Sequence, residues 1–133
     1  MIKRLSTIFT AITASIHVLF FKIESLDFMT PKVLERFHLN IESAKYVEIW
    51  AFNQGFYNLF LALGLFYCIF KSYTKGIEKV VTLTYFLLLT IIAAAFVLLY
   101  SKPENYIGAM VQGIPALCSL IFFRLHLKEE KQK

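Results

Sequence analysis

Four long apolar runs divide this chain, and each carries a few polar residues at regular intervals. The runs cover about residues 5–23, 48–70, 80–100 and 106–123. Each is close to the ~20 residues an α-helix needs to cross a bilayer. In the first run Ser6, Thr10, Thr13, His17 and Glu24 are spaced by four, three, four and seven. That spacing draws one stripe along an α-helix, with His17 and Glu24 about 10.5 Å apart along the axis. The stripe is expected to face a bundle interior. In the second run Asn53 and Tyr57 are four apart, as are Gln54 and Asn58. Two adjacent polar rows therefore occupy its first half, while Gly55, Ala62 and Gly64 permit close helix approach. The third run has only Thr82, Thr84 and Thr90 as polar positions, with Ala93 to Ala95 as a close-contact patch. In the fourth, Gly108, Gln112, Pro115 and Ser119 share a face. Pro115 removes a backbone donor and predicts a kink there.

The connections have their own signals. Thr30-Pro31 reads as an N-cap followed by the first helical residue. Val33, Leu34, Phe37 and Ile41 then fall on one side, and Lys32, Glu35 and Arg36 away from it. This predicts a short amphipathic helix at the membrane interface, or capping the bundle. Lys71–Lys79, with Gly76, and Ser101–Asn105, with Pro103, read as tight connections. Residues 124–133 form a charged tail expected to be solvated, and His38 and His126 are expected at the surface. The resulting fold class is all-α: an integral membrane four-helix bundle, up-down-up-down, forming one domain over residues 1–133.

Composition supports the membrane assignment. The chain has 133 residues, 58% of them hydrophobic and 17% charged. A typical soluble domain has about 25% charged residues, and a small one could not hide this much apolar surface. The leader Met1–Arg4 resembles the start of a signal peptide, but the run continues through His17–Phe21 without a small-x-small site, so the first helix is expected to stay. The net charge of +5 does not form a nucleic-acid stripe; the basic residues flank the apolar runs. Lys3, Arg4, Lys71, Lys75, Lys79, Arg124, Lys128, Lys131 and Lys133 lie on one side of the spans. Lys22, Lys32, Arg36, Lys45 and Lys102 lie on the other. This bias predicts a multi-pass plasma-membrane protein with both termini cytoplasmic. Trp50, Tyr100 and Tyr106 read as interfacial anchors.

Candidate chemistry follows from that topology. His17, Asn53, Gln54, Asn58 and Gln112 would all fall in the outer half of the membrane, delivered by three helices. With Glu24 at its mouth and Tyr57 beside the amides, this cluster is expected to form a pocket for a small amphipathic ligand. Phe20, Phe21, Phe56, Tyr57 and Phe60 would supply apolar walls. The same amides could instead only hold helices together in an accessory subunit. A membrane enzyme acting on a lipid-soluble substrate is a third class, although no nucleophile motif or phosphate loop is present. His17, His38 and His126 lie in unrelated settings, so neither metal nor cofactor is implied. Cys68 and Cys118 would sit at different depths, about 30 and 18 Å from helix starts on the same side, and are expected to stay unbridged. Four short spans leave little room for a channel in one protomer, so a homodimer is considered.

His17-Val-Leu-Phe-Phe-Lys-Ile-Glu24, Thr30-Pro31, Phe37, Asn53-Gln-Gly-Phe-Tyr-Asn-Leu-Phe-Leu-Ala62 and Gln112-Gly-Ile-Pro-Ala116 follow one another in order. With these motifs the chain resembles the small four-helix bacterial membrane proteins grouped as domain-of-unknown-function family 1304. The resemblance implies a four-span membrane protein of unassigned activity. Phe28 stands where it implies a Trp, and the third run lacks the glycines it implies.

Overall fold

The computed structural model describes residues 1–132 and forms an all-α membrane bundle. The first helix, α1 (Ile2–Phe21), runs directly into one π-helical turn, Lys22–Leu26. There the Asp27 amide donates to the Lys22 carbonyl at 2.9 Å, and the Lys22 ammonium pairs with the Asp27 carboxylate. The wider turn re-aims the chain out of the bundle.

Thr30 then takes an extended conformation as N-cap, and Pro31 opens α2 (Pro31–Arg36) with its preset φ. The Thr30 hydroxyl reaches back to the Asp27 carbonyl at 2.7 Å and caps no α2 amide. Val33 and Leu34 are buried, as the amphipathic pattern requires. The helix stops early. His38 adopts a left-handed φ of 55°, and the Leu39 amide closes on the Leu34 carbonyl.

Asn40 starts the next helix by accepting from the Ser43 amide at 2.8 Å. That cap moves the start of α3 (Ile41–Lys75) well ahead of the expected residue 48. Ile41, expected on the apolar side of α2, is instead the exposed first residue of α3. At 35 residues α3 is about 52 Å long, against a hydrocarbon core of ~30 Å. Gly76, at φ 92°, and a 3₁₀ turn over Ile77–Val80 lead into α4 (Val81–Ser101). A second 3₁₀ turn, Pro103–Asn105, leads into α5 (Tyr106–Lys131) with Pro115 inside it.

The charged tail is not a solvated appendage among the described residues. It continues α5 as helix to Lys131, and Phe123, His126 and Leu127 are buried. His126, expected at the surface, is only 5% exposed. Its neighbours three residues back and one ahead, Phe123 and Leu127, are apolar and seat this turn on the core, which a charge count misses. His38 is exposed. Lys133 lies outside the described residues.

Helix α1 occupies the middle of the assembly, packed on α3 along one side and α5 along the other; α4 packs mainly on α5. The stretches Ile2–Leu26, Ile41–Lys75, Ile77–Ser101 and Pro103–Lys131 are all long and apolar enough to cross a membrane. Small residues set the spacing. A Cβ on Gly55 would strike the Ser25 hydroxyl and lie 3.1 Å from the Phe21 carbonyl, so only glycine lets α1 and α3 approach there. Ala14, Ala62 and Ala116 are fully buried in a core completed by Leu65, Leu88 and Ile91. A second, smaller core of Phe28, Val33, Leu34 and Ala44 closes the loop end, opposite the chain termini. Large side chains such as Phe86 and Phe96 are exposed, as suits surface in contact with acyl chains. Cys68 and Cys118 are both free thiols.

Candidate functional site

The polar stripe of α1 turns inward. Ser6, Thr10, Thr13 and His17 are all buried. Each threonine first satisfies itself on its own helix: Thr10 donates to the Ser6 carbonyl at 2.7 Å and Thr13 to the Phe9 carbonyl at 2.8 Å. With its single proton so used, the Thr10 oxygen accepts from the Ser119 hydroxyl of α5 at 2.7 Å. This cross-link fixes the register of the antiparallel α1–α5 seam.

From that link the seam can be followed toward the loop end. Seven residues from Thr10 lies His17; seven residues from Ser119, in the same direction, lies Gln112. Seven residues is nearly two full turns, so both side chains return to the seam at one level. Both are buried, His17 at 1% exposure and Gln112 at 8%. The His17 Nδ1 is 2.9 Å from the Thr13 carbonyl, to which it donates as N–H, and Phe20 lies against the ring edge-on at 5.7 Å. This fixes the tautomer and leaves Nε2 as the acceptor. Nε2 has no hydrogen-bond partner among the described residues, and neither does the Gln112 amide.

Nearly two turns beyond His17, past the end of α1, the π turn carries Glu24 to α3. Its carboxylate accepts from the Asn58 amide at 2.8 Å, and Asn58 also donates to the Gln54 carbonyl at 3.3 Å. The adjacent Ser25 hydroxyl donates to the Phe52 carbonyl at 2.8 Å. Lys22 is engaged by Asp27, so Asn58, and no cation, is the partner of Glu24.

The structure does not gather the whole expected cluster. His17, Gln112, Glu24 and Asn58 line the interior of the bundle from its middle to its loop end. Asn53, Gln54 and Tyr57 are exposed, Tyr57 at 62%. The face of α3 that packs is Gly55, Asn58, Ala62 and Leu65. Asn53 and Tyr57 point away from it, and Gln54 lies beyond the end of α1, where no helix covers it. The Ser25–Phe52 contact puts Asn53 and Gln54 level with the end of the first span, where headgroups and water can satisfy amides. Among the expected walls, Phe20 touches His17, while Phe21 stacks on Phe56 at 5.1 Å and Phe56 on Phe60 at 6.2 Å, along the flank of α3.

Sequence reasoning missed a second polar region, at the end that carries the termini. A cavity of about 20 Å³ lies there between the four long helices, lined in part by Thr10, Cys68, Thr84 and His126. Thr84 had registered only as one of three threonines in an apolar run. The signal that could have found it is its position opposite Cys68 and the Ser6–Thr10 turn, which requires the helix register.

The family model for a protein of unknown function designated DUF1304 matches residues 11–124. The chain belongs to the DUF1304 family. The matched stretch takes in His17, Glu24, Asn58 and Gln112, and also the cavity-lining Cys68, Thr84 and Phe123. The family has no assigned activity, and neither the curated proteins nor the solved structures contain a match. No cluster of three or more His, Cys, Asp or Glu suited to a metal ion occurs among the described residues of this DUF1304 chain.

Proposed function

We propose that this chain binds, and moves across the membrane, a small amphipathic molecule that reaches His17 and Gln112 from the Glu24–Asn58 end. One observation carries the reading. His17 and Gln112 are buried residues seven positions from the Thr10–Ser119 link on the two helices of one seam, and neither the imidazole Nε2 nor the side-chain amide makes a hydrogen bond within the described residues. Unsatisfied polar groups are expensive in a bilayer, so a molecule that supplies hydrogen bonds there is stabilised strongly. Glu24 at the mouth gives that molecule a charged or donor-bearing end to recognise, and the aromatic side chains around it suit an apolar remainder. The positive-inside bias supports a mouth on the external side of the plasma membrane with both termini in the cytoplasm.

The test is ligand-dependent stability. Protein purified in mild detergent is expected to carry a small molecule detectable by native mass spectrometry. Re-adding it at about 100 times Kd adds about 2.7 kcal/mol of stability. His17→Ala and Glu24→Gln lose that increment while staying monodisperse, and Asn53→Ala keeps it. If His17→Ala and Glu24→Gln instead aggregate like core variants, the cluster is structural and the reading fails. Uptake into vesicles distinguishes a carrier from a simple binding protein.

The outward face of α3 favours a second reading, in which this face meets a partner. Asn53, Gln54 and Tyr57 offer hydrogen bonds away from the bundle, with Trp50 exposed nearby. A homodimer or a larger complex joined through this face would be lost on Asn53→Leu with Tyr57→Leu, measured by cross-linking in native membranes.

A further inference from the structure

The cavity at the terminal end is independent of the His17–Gln112 level and rests on other residues. It is bounded by all four long helices, and its volume of about 20 Å³ accommodates one water molecule. Its wall mixes polar groups with apolar surface from Ile69 and Phe123. Ser6, Thr10 and Ser72 bring hydroxyls from α1 and α3, and Cys68 brings a thiol.

The decisive group is Thr84 of α4. It is 1% exposed and lines this cavity beside the Cys68 thiol, a weak partner, and its hydroxyl oxygen makes no hydrogen bond of normal geometry in the protein. A threonine in a membrane helix ordinarily satisfies itself on its own preceding turn, as Thr10 and Thr13 do. Thr84 does not, although that option exists for any helical threonine. Ser6 and Ser72 make no side-chain hydrogen bond among the described residues, although only the Thr84 hydroxyl is both sealed and unsatisfied. Three hydroxyls with unused capacity therefore border a space of one water's size.

The cavity is partly open toward the surface. Tyr73 lines it on one side and is exposed on the other. Its hydroxyl is 3.1 Å from the Thr7 oxygen, and the Lys3 ammonium sits 4.6 Å from its ring centre. The Thr7 proton goes to the Lys3 carbonyl at 3.1 Å, so the tyrosine is the donor in the Thr7–Tyr73 contact. A single hydrogen bond and one exposed cation–π contact hold the ring in place. Both are weak enough to break on local opening.

We propose that this cavity is an internal water site in which Thr84 is the principal ligand, and that Tyr73 is the lid through which water exchanges with solution at the terminal end. The site hydrates the inner end of the α1–α5 hydroxyl row, next to the Thr10–Ser119 link. It does so whether or not the opposite end binds an amphipathic molecule.

Two measurements test the two halves of the proposal. For the water, Thr84→Val is nearly isosteric and has a sign that decides. A hydroxyl bound to water is a satisfied group, so its loss lowers the unfolding temperature. A hydroxyl facing a dry cavity is an unsatisfied group, so its loss raises that temperature. For the lid, Cys118→Ser leaves Cys68 as the one thiol in the chain. The rate of Cys68 alkylation by iodoacetamide in nanodiscs, followed by intact mass, then reports opening. Tyr73→Phe keeps the ring and the Lys3 contact and is expected to speed the reaction about fivefold, the factor one neutral hydrogen bond is worth. Tyr73→Ala is expected to speed it at least about tenfold, because the cation–π contact goes as well. A higher unfolding temperature for Thr84→Val overturns the water site. An unchanged alkylation rate in Tyr73→Phe and Tyr73→Ala overturns the lid.

Discussion

The polar face of α1 and the polar rows at the start of α3 have the same helical spacing and opposite fates. On α1, Thr10, Thr13 and His17 turn into the bundle, because α1 has α3 on one side and α5 on the other. On α3 the packed side is the Gly55–Asn58–Ala62 row, and Asn53 and Tyr57 are left outside. Helix association in a membrane is driven by close packing and interhelical hydrogen bonds, without a hydrophobic force between helices. The smallest residues therefore decide which face packs, and polar groups follow where a partner exists. Asn58 has one in Glu24. The π turn matters here: it brings Glu24 onto α3 before the chain leaves the bundle.

The largest expected effect on this contrast is at Gly55. Gly55→Leu drives a side chain into Ser25 and the Phe21 carbonyl and is expected to cost at least about 1–3 kcal/mol. Asn53→Leu, two residues away on the outward face, should stay within about 0.5 kcal/mol. Thermal unfolding in detergent measures both; equal tolerance would mean that α1 does not seat on this row. Next comes Asn58→Leu, which strips the Glu24 carboxylate of its donor and is expected to cost about 1–3 kcal/mol. Gln54→Leu, in the same sequence row, has only its backbone carbonyl in that network and should cost less than about 0.5 kcal/mol. The smallest effect is at the α1–α5 seam. A double-mutant cycle of Thr10→Val and Ser119→Ala should give a coupling of about 0.6 kcal/mol, and no more than about 1.7. A coupling of zero would remove the register from which His17 and Gln112 are placed on one level.

These contrasts also mark how far the site was legible beforehand. The inward direction of Ser6, Thr10, Thr13 and His17 was readable because one stripe runs the length of one helix and lipid cannot satisfy an imidazole. The placement of Gln112 followed from its spacing with Ser119 on one face of α5. Asn53 and Gln54 are expected within a span that starts near residue 48, while the Asn40 cap starts α3 at Ile41 and the Ser25–Phe52 contact sets this turn level with the end of the first candidate span. There, water and headgroups make an outward amide cheap. His126 was assigned to a solvated tail because Lys and Glu surround it in sequence. Rotation of about 100° per residue puts Arg124, Lys128 and Glu129 on the exposed side, away from the face carrying Phe123, His126 and Leu127.

By itself the sequence determined four membrane spans, a short amphipathic helix opened by Pro31, and a polar stripe on the first helix. All of these follow from local periodicity, proline chemistry and the absence of water in hydrocarbon. Only the tertiary structure decided which side of α3 packs, that Glu24 meets Asn58, and that Thr84 faces a cavity lined from all four long helices. Neighbouring residues on a helix are about 100° apart, so the rotation of one helix against the next selects which side chain meets a partner. That rotation is set by contacts such as Ser25 against Gly55, between residues thirty positions apart in the chain.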